Sequence, residues 1–330
     1  MIVKPGNTSS TNGEDLSRAG EVPRGADVLT LEAAHMRWVG LAGRGPSEAA
    51  WLGERYDFHP LALADLASRN QRPKVDDYGR ELFIVLYFPA FRAQGDRLQV
   101  LELDLFVGRD FVISVPRDDV PGVSELFERY RADDGIREAD FARGTGWVVY
   151  RIIDAAITSG FAILKSIGDA LEEVEADLDS GTTGALVGPI GTAKMNIVDF
   201  RRVVRPQRAT YRSLKRAIRA RDKSTELDRY FDGLVDASER TWDVLEAYGE
   251  VAQGLETTGQ NLRAERVNDT VRVLTAWSVV FLPLTLIASI FGMNVRVPGE
   301  GETVAFWVIT LGMVIGLIVT VWSFRRRHWL

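Results

Sequence analysis

Two long runs of apolar residues without a single charge lie near the carboxyl end of this chain. They extend from Val273 to Val295 and from Thr303 to Phe324. Each holds about 22 residues, and at about 1.5 Å per residue a helix of that length reaches about 33 Å, enough to cross the hydrocarbon core of a bilayer. We therefore predict two transmembrane helices, at about 273–292 and 304–324. A buried hairpin is the weaker alternative, since soluble helices rarely run so long without a charge.

Basic residues flank the two runs on one side. Three arginines between 263 and 272 precede the first run, and the cluster Arg325–His328 follows the second. The connecting loop, 295–303, carries one arginine against Glu300 and Glu302. The positive-inside rule then places both termini in the cytoplasm and the loop outside. We expect a multi-pass protein of the cell (inner or plasma) membrane.

The region before residue 120 mixes short strands and helices. Five β-branched or aromatic runs bounded by Gly, Pro or Asp predict strands: Val28–Leu31, His35–Leu41, Glu81–Tyr87, Val100–Val107 and Phe111–Val115. Two short helices are predicted at Ser47–Tyr56, with Ser47 as its cap after Pro46, and at Leu61–Ser68. These elements predict a small α/β domain.

After Pro121 the strand signals end and apolar residues recur at helical spacing. Helices are predicted over 146–179, over 189–221, and from Thr225 into the first membrane run, the last about 65 residues or on the order of 100 Å long. The predicted fold class is α+β, with a cytoplasmic α/β domain, long helices and two carboxyl-terminal transmembrane helices. The predicted division is a disordered tail (1–26), the α/β domain (27–120), a helical region (121–222), the long helix (223–294), the outer loop (295–303), the second span (304–324) and a basic tail (325–330).

Composition narrows the chemistry. The 330 residues carry a net charge of −6 and contain no cysteine, so thiolate zinc sites and disulfides are excluded. The three histidines form no metal-binding pair of the HxxH type, and no phosphate-binding loop or catalytic constellation is present. We therefore expect a protein that is not an enzyme, has no cofactor and binds no nucleic acid.

A polar seam follows the first membrane run and the helix that leads into it. Its members are spaced alternately by three and four residues, which places them on one side of a helix. They are Asn268, Val271, Thr275, Ser278, Leu282, Thr285 and Ser289. Two helices cannot enclose a water-filled path, so a conducting chain must pack several copies around this seam. The alternative is that the hydroxyls bond to their own helix and only assist helix packing.

At this seam the chain resembles a known family. The run Asn268–Asn294, NDTVRVLTAWSVVFLPLTLIASIFGMN, is similar to the pore helix of the CorA family of divalent-cation channels, including its closing Gly292-Met293-Asn294. The resemblance continues in His59–Leu63, in Gln71–Val75 with Tyr78-Gly79, and in the final Phe324–Leu330. It covers nearly the whole chain after the first 25 residues.

The resemblance implies a homopentameric funnel in the bilayer that admits Mg²⁺ passively. Whether it also transports Co²⁺, Ni²⁺ or Zn²⁺ is a question that the sequence leaves open. Gly292, Met293 and Asn294 would form the selectivity filter, since a ring of amide oxygens bonds the waters of a hydrated ion without removing them. Asn268 would contact the metal ion in the same way, through ion-bound water, at the cytoplasmic end. Val271 and Leu282 would form apolar rings that act as gates. Glu300 and Glu302 at the outer mouth would raise the local cation concentration.

The chain departs from the family pattern at several positions. Phe291 stands where most magnesium-transporting members have tyrosine, and the loop that follows lacks their usual Met-Pro-Glu-Leu. The two positions that align with intracellular magnesium sensors fall near Gly233 and Thr257, neither of them acidic. An acidic run, Glu172–Asp179, is a second candidate sensor, although such runs are usually solvated helix faces.

Three other readings stay open at this point. A zinc transporter of the same wider family would share the fold. A membrane-anchored scaffold or signalling protein would need no polar seam in its span. An enzyme docked at the membrane would need a nucleophile, base or metal set, and the sequence offers none.

Overall fold

The structure is a computed structural model that describes residues 28–43, 45–68, 72–92, 97–180, 187–293 and 303–326. The predicted tail before residue 27 and the outer loop, with Asn294, Glu300 and Glu302, lie outside the described residues. The described chain divides into two compact units. The first comprises residues up to 176 together with 187–253, and the second comprises 177–180 together with the described residues from 254 onward.

One six-stranded sheet organises the first unit. Its strands are β1 (Val28–Ala33), β2 (Met36–Leu41), β3 (Lys74–Asp77), β4 (Leu82–Phe91), β5 (Leu98–Val107) and β6 (Phe111–Pro116), in the order β1-β2-β6-β5-β4-β3. All neighbours are antiparallel except β2 and β6, which run parallel. The mixed α/β fold predicted from the sequence is confirmed.

The central strands are apolar on both sides because both faces of the sheet are covered. Along β4, Leu82, Ile84 and Leu86 enter a core shared with the long helices, while Phe83 and Val85 enter a second core with the two short helices. Successive side chains of a strand point to opposite faces, so a strand buried on both sides reads as a continuous apolar run. This explains why β4 was recognisable in the sequence without any alternation.

Two short helices cover the second face, α1 (Pro46–Tyr56) and α2 (Pro60–Ala67). The prediction that Ser47 caps α1 is wrong. Gly45 occupies the cap position without a side-chain bond, Pro46 begins the helix, and the Ser47 hydroxyl donates to Glu48 Oε2 at 2.9 Å. Proline suits the first helical turn because its missing N–H would have no helical partner there.

The sequence prediction also missed or misplaced some elements. His35 was assigned to a strand, but Ala34 and His35 form the turn between β1 and β2 with φ of 50° and 65°. Positive φ at both central residues matches the right-handed twist of a hairpin. The charged edge strand β3 and two short helices, α3 (Val123–Ala132) and α4 (Asp134–Phe141), were not predicted.

The long helices are α5 (Thr145–Asp179), α6 (Val187–Arg221), α7 (Thr225–Phe291) and α8 (Thr303–Arg326). The predicted long helix is confirmed, since α7 runs unbroken for 67 residues. Three helices are long and apolar enough to cross a membrane: α5, α7 and residues 306–326 of α8. In α5 half of the apolar window is buried within the chain, against 11% in α7 and none in α8. The apolar character of α5 is therefore explained by the core that it shares with the sheet.

A small cavity of about 40 Å³ remains where β4, α5 and α6 meet, lined among others by Phe88, Gly160 and Phe200. A Cβ atom on Gly160 would meet Pro89 at 3.7 Å and Phe200 at 3.8 Å, both ordinary contacts. We expect Gly160→Ala to stabilise the protein by about 1 kcal/mol through helix propensity and by up to about 0.8 kcal/mol through the buried methyl group. Thermal unfolding of the detergent-solubilised protein measures the change.

The matched control for this prediction is Gly233→Ala, since Gly233 lies inside α7 and, apart from its own helix, no described residue comes within 4 Å of its Cβ position. That variant reports the propensity contribution alone. A melting temperature of Gly160→Ala no higher than that of the control would show that the cavity does not accept a methyl group.

Candidate ion pathway

The apolar part of α7 has one covered side. Ala276 is fully buried and Val280 is 6% exposed, while Leu284 and Ile287 are half-buried. These four positions follow each other by three or four residues and so share one side of the helix. In α8 a similar half-buried line runs through Thr310, Met313, Leu317, Thr320 and Phe324. Each helix therefore turns one side toward other parts of the chain.

The polar seam lies on the opposite side of α7. All seven seam residues, Asn268, Val271, Thr275, Ser278, Leu282, Thr285 and Ser289, are exposed in the single chain. Leu282 is 75% exposed and Val271 is 54% exposed. At about 100° per residue, the mean direction of the seam is roughly 180° from that of the covered side. The chain thus leaves free the side that the sequence predicted to line a path.

Three hydroxyl groups of the seam bond to their own helix. Thr275 donates to the Val271 carbonyl at 2.7 Å, Ser278 to that of Leu274 at 2.9 Å, and Thr285 to that of Phe281 at 2.8 Å. This is the bonding expected if the seam only assisted helix packing. However, the bond uses the hydroxyl hydrogen and leaves the oxygen lone pairs available. The exposed seam therefore offers hydrogen-bond acceptors to anything that lies along it.

The carboxyl end of α7 tightens at the first two residues of the predicted filter. The Gly292 N–H donates to the Ala288 carbonyl at 2.9 Å, and the Met293 N–H reaches back only three residues, to Ile290, at 3.4 Å. A Cβ atom on Gly292 would lie 3.1 Å from the Ala288 oxygen, closer than most real contacts. Because glycine has no Cβ atom, Gly292 permits this tight final turn. The described segment then ends at Met293, which is exposed.

The upstream segments that carry the family resemblance meet at one corner of the first unit. His59 begins α2, its Nδ1 accepts from the Leu61 N–H at 3.2 Å, and its ring stacks on Tyr78 at 4.3 Å. The His59 N–H donates to the buried Glu81 Oε1 at 2.9 Å. Gly79 adopts a φ of 84°, which favours glycine. These residues hold the start of α2 against the hairpin of β3 and β4. No functional role was predicted for them from the sequence.

The acidic run on α5 is a solvated surface. Glu172, Glu173, Glu175, Asp177 and Asp179 are all exposed. Among the described residues no group of three His, Asp or Glu side chains is arranged to hold a metal ion. The acidic run therefore gains no support from the structure as a metal sensor.

The fold is shared by solved transporters. The structure of the complete CorA magnesium transporter from Methanocaldococcus jannaschii superposes with a TM-score of 0.78 at 21% identity, covering 92% of this chain and 94% of that one. The structure of the full-length CmaX protein gives 0.69 at 25% identity, with 89% of each chain covered. The CorA-like fold predicted from the sequence is confirmed.

Sequence comparisons agree. The cobalt/magnesium transport protein CorA of Thermotoga maritima is 26% identical over 299 residues, which is 89% of this chain and 83% of that protein. The zinc transport protein ZntB of Cronobacter sakazakii is 22% identical over 309 residues, which is 92% of this chain and 91% of that protein. The family model described as CorA-like Mg²⁺ transporter protein matches residues 33–326. The chain belongs to this family of membrane ion transporters.

Proposed function

We propose that this chain forms a homopentameric channel that mediates passive influx of Mg²⁺ across the cell membrane. The observation that carries the proposal is the seam of α7, which is exposed, rich in acceptor oxygens and opposite the covered side of the helix. Five such seams around one axis would wall a polar path, whereas one chain cannot. The seam leads directly to Gly292-Met293-Asn294.

The proposed filter acts on the hydrated ion. Mg²⁺ gives up its waters reluctantly and demands near-octahedral oxygen coordination, so bonding those waters costs less than replacing them. A ring of Asn294 amide oxygens would accept their hydrogens at the outer end, and Asn268 would do the same at the cytoplasmic end. Glu300 and Glu302, in the loop beyond the filter, would concentrate cations at the mouth.

The membrane potential supplies sufficient driving force. At 100 mV, negative inside, each elementary charge gains about 2.3 kcal/mol, so a divalent ion gains about 4.6 kcal/mol on entry. The chain contains no phosphate-binding loop that would imply a chemical fuel. Influx is therefore expected to follow the potential.

We expect flux of Mg²⁺ into proteoliposomes that rises with an inside-negative potential. The intact Gly-Met-Asn sequence favours Mg²⁺, while relatives named for zinc and for cobalt share the fold, so Co²⁺, Ni²⁺ and Zn²⁺ are measured beside it at the same potential. Flux of Zn²⁺ without Mg²⁺ would assign the zinc function instead. Absence of flux for every cation from a well-assembled protein would leave the scaffold function.

A further inference from the structure

The hairpin of α6 and α7 separates charge by helix. From Arg201 to Arg221 the chain carries nine basic side chains and no acid. From Thr225 to Glu250 it carries eight acids and two arginines, Arg229 and Arg240. The hairpin therefore presents a positive helix beside a negative one.

Part of this charge is neutralised inside the hairpin. Glu239 pairs with Arg208 and Arg212, and Lys215 pairs with Asp232 at 2.5 Å and with Asp228 at 3.4 Å. The bond from Arg208 lowers the pKa of Glu239, and the bond to Asp232 raises the pKa of Lys215. Both groups therefore stay charged at neutral pH, and the pairs fix the register of the two helices.

The remaining charges lie on the exposed outer sides. On α6, Arg205 has no ion pair within the described chain, Arg216 bonds only to Ser213, and Arg202 reaches only Asp199 at 3.7 Å. On α7, the exposed Asp236, Asp243, Glu246 and Glu250 have no partner among the described residues. Single surface ion pairs are weak, but a row of exposed charges of one sign that is at most weakly paired within its own chain gains from a complementary row.

The two outer rows match in spacing. On α6, Val198, Arg202, Ala209 and Arg216 lie on one exposed edge, and on α7 the exposed edge contains Asp236, Asp243, Glu250 and Val251. Arg202 and Arg216 are 14 residues apart, as are Asp236 and Glu250, which is about 21 Å along each helix. One antiparallel register therefore sets Arg216 against Asp236 and Arg202 against Glu250. The same register sets the small Ala209 against Asp243.

We propose that the α6 edge of one copy of this chain binds the α7 edge of the next copy. The occupant of each edge is a second copy because each chain carries both complementary rows. A contact that joins two different surfaces is a head-to-tail contact. Repeated contacts of this kind close into a ring when the rotation between neighbouring subunits brings the last copy back to the first. The inference rests on the oligomer of the proposed function and names the surfaces that build it.

Cysteine cross-linking tests the contact, and the chain contains no cysteine of its own. The full-length double variant Arg216→Cys/Asp236→Cys is treated in detergent with a short bismaleimide, because an Arg–Asp pair holds backbones further apart than a disulfide permits. We expect a ladder of covalent species that rises to the mass of the intact oligomer. The mass of the unmodified complex, expected to be five chains, is measured beforehand on the same preparation.

Two controls separate the alternatives. Co-expression of the two single variants places both thiols in the same oligomers, where a cross-link can join only different chains and should give covalent dimers. The pair Arg216→Cys/Glu128→Cys moves the second thiol from the α7 edge to an exposed position of α3 and should give at least 10-fold less product. A double variant that assembles normally but yields no ladder, or stops at a dimer, would falsify the proposed contact.

Charge reversal gives a second measurement. Arg202→Glu/Arg216→Glu should lower the assembled fraction at least 10-fold at low salt, and adding Asp236→Arg/Glu250→Arg should restore it. Failure of the restoring changes would overturn the proposed pairing. Ion flux is measured in parallel. Normal flux from an oligomer that lacks this contact would overturn the proposed contact and leave the proposed function intact.

Discussion

Replacing Asn294 by alanine is expected to abolish Mg²⁺ uptake or reduce it severely, while the oligomer and its membrane insertion stay intact. An uncharged amide ring can bond the waters of a hydrated divalent ion without trapping it. A carboxylate ring, by contrast, would hold the ion too tightly. Alanine removes the acceptor oxygens and leaves a wider, apolar mouth. Uptake and oligomer yield are measured on the same preparation.

The competing role for Asn294 is to cap the carboxyl end of α7, which ends at Phe291. A cap predicts a loss of about 1 kcal/mol or less in stability with transport preserved. Asn261→Ala is the matched control, since Asn261 is an exposed asparagine of the same helix that lies before the apolar run and far along the helix from Asn294. Normal flux from a well-assembled Asn294→Ala protein would end the filter hypothesis.

Leu282→Ala and Val271→Ala are each expected to raise ion leak through the closed channel. A ring of large apolar side chains excludes water when it is narrow, and truncation widens the ring so that water and ions can pass. Leu282 and Val271 suit this role because both project from the free side of α7. Basal conductance in planar bilayers, recorded at a constant holding potential, measures the leak.

Leu274→Ala and Val279→Ala are the matched controls, because these residues are exposed on the same helix but lie outside the seam. They should leave basal conductance unchanged. Equal conductance in all four variants would mean that the seam does not face the axis.

The sequence predicted the elements whose identity depends on local patterns. The seam spacing, the length of α7 and the apolar β4 were all readable because periodicity and burial act within one segment. β3 was missed because its residues, Lys74–Asp77, are mostly charged, and its pairing with β4 at the edge of the sheet depends on a distant strand. Lys74 is accommodated there by Asp65 and Asp76, neither of which could be assigned as its partner from the sequence.

The candidate site was predictable to a similar degree. The positions along α7 followed from three-and-four spacing, but the division of that helix into a covered and a free side required the rest of the chain. The ion pairs between α6 and α7 could not be predicted, because a shift of one turn in the hairpin would pair Glu239 with other bases. Ser47 failed as a cap because a proline beside it began the helix one residue earlier.

In the proposed channel, the bonds from the seam hydroxyls to the α7 backbone would also favour one sign of ion. Each of Thr275, Ser278 and Thr285 has committed its hydrogen to a carbonyl, so it can accept hydrogen bonds but has none to donate. The water shell of a cation points its hydrogens outward and finds acceptors, whereas the shell of an anion seeks donors. A path lined by these seams would therefore prefer cations over chloride without any fixed negative charge along it. Since a hydroxyl does not titrate in the physiological range, this preference does not change with pH.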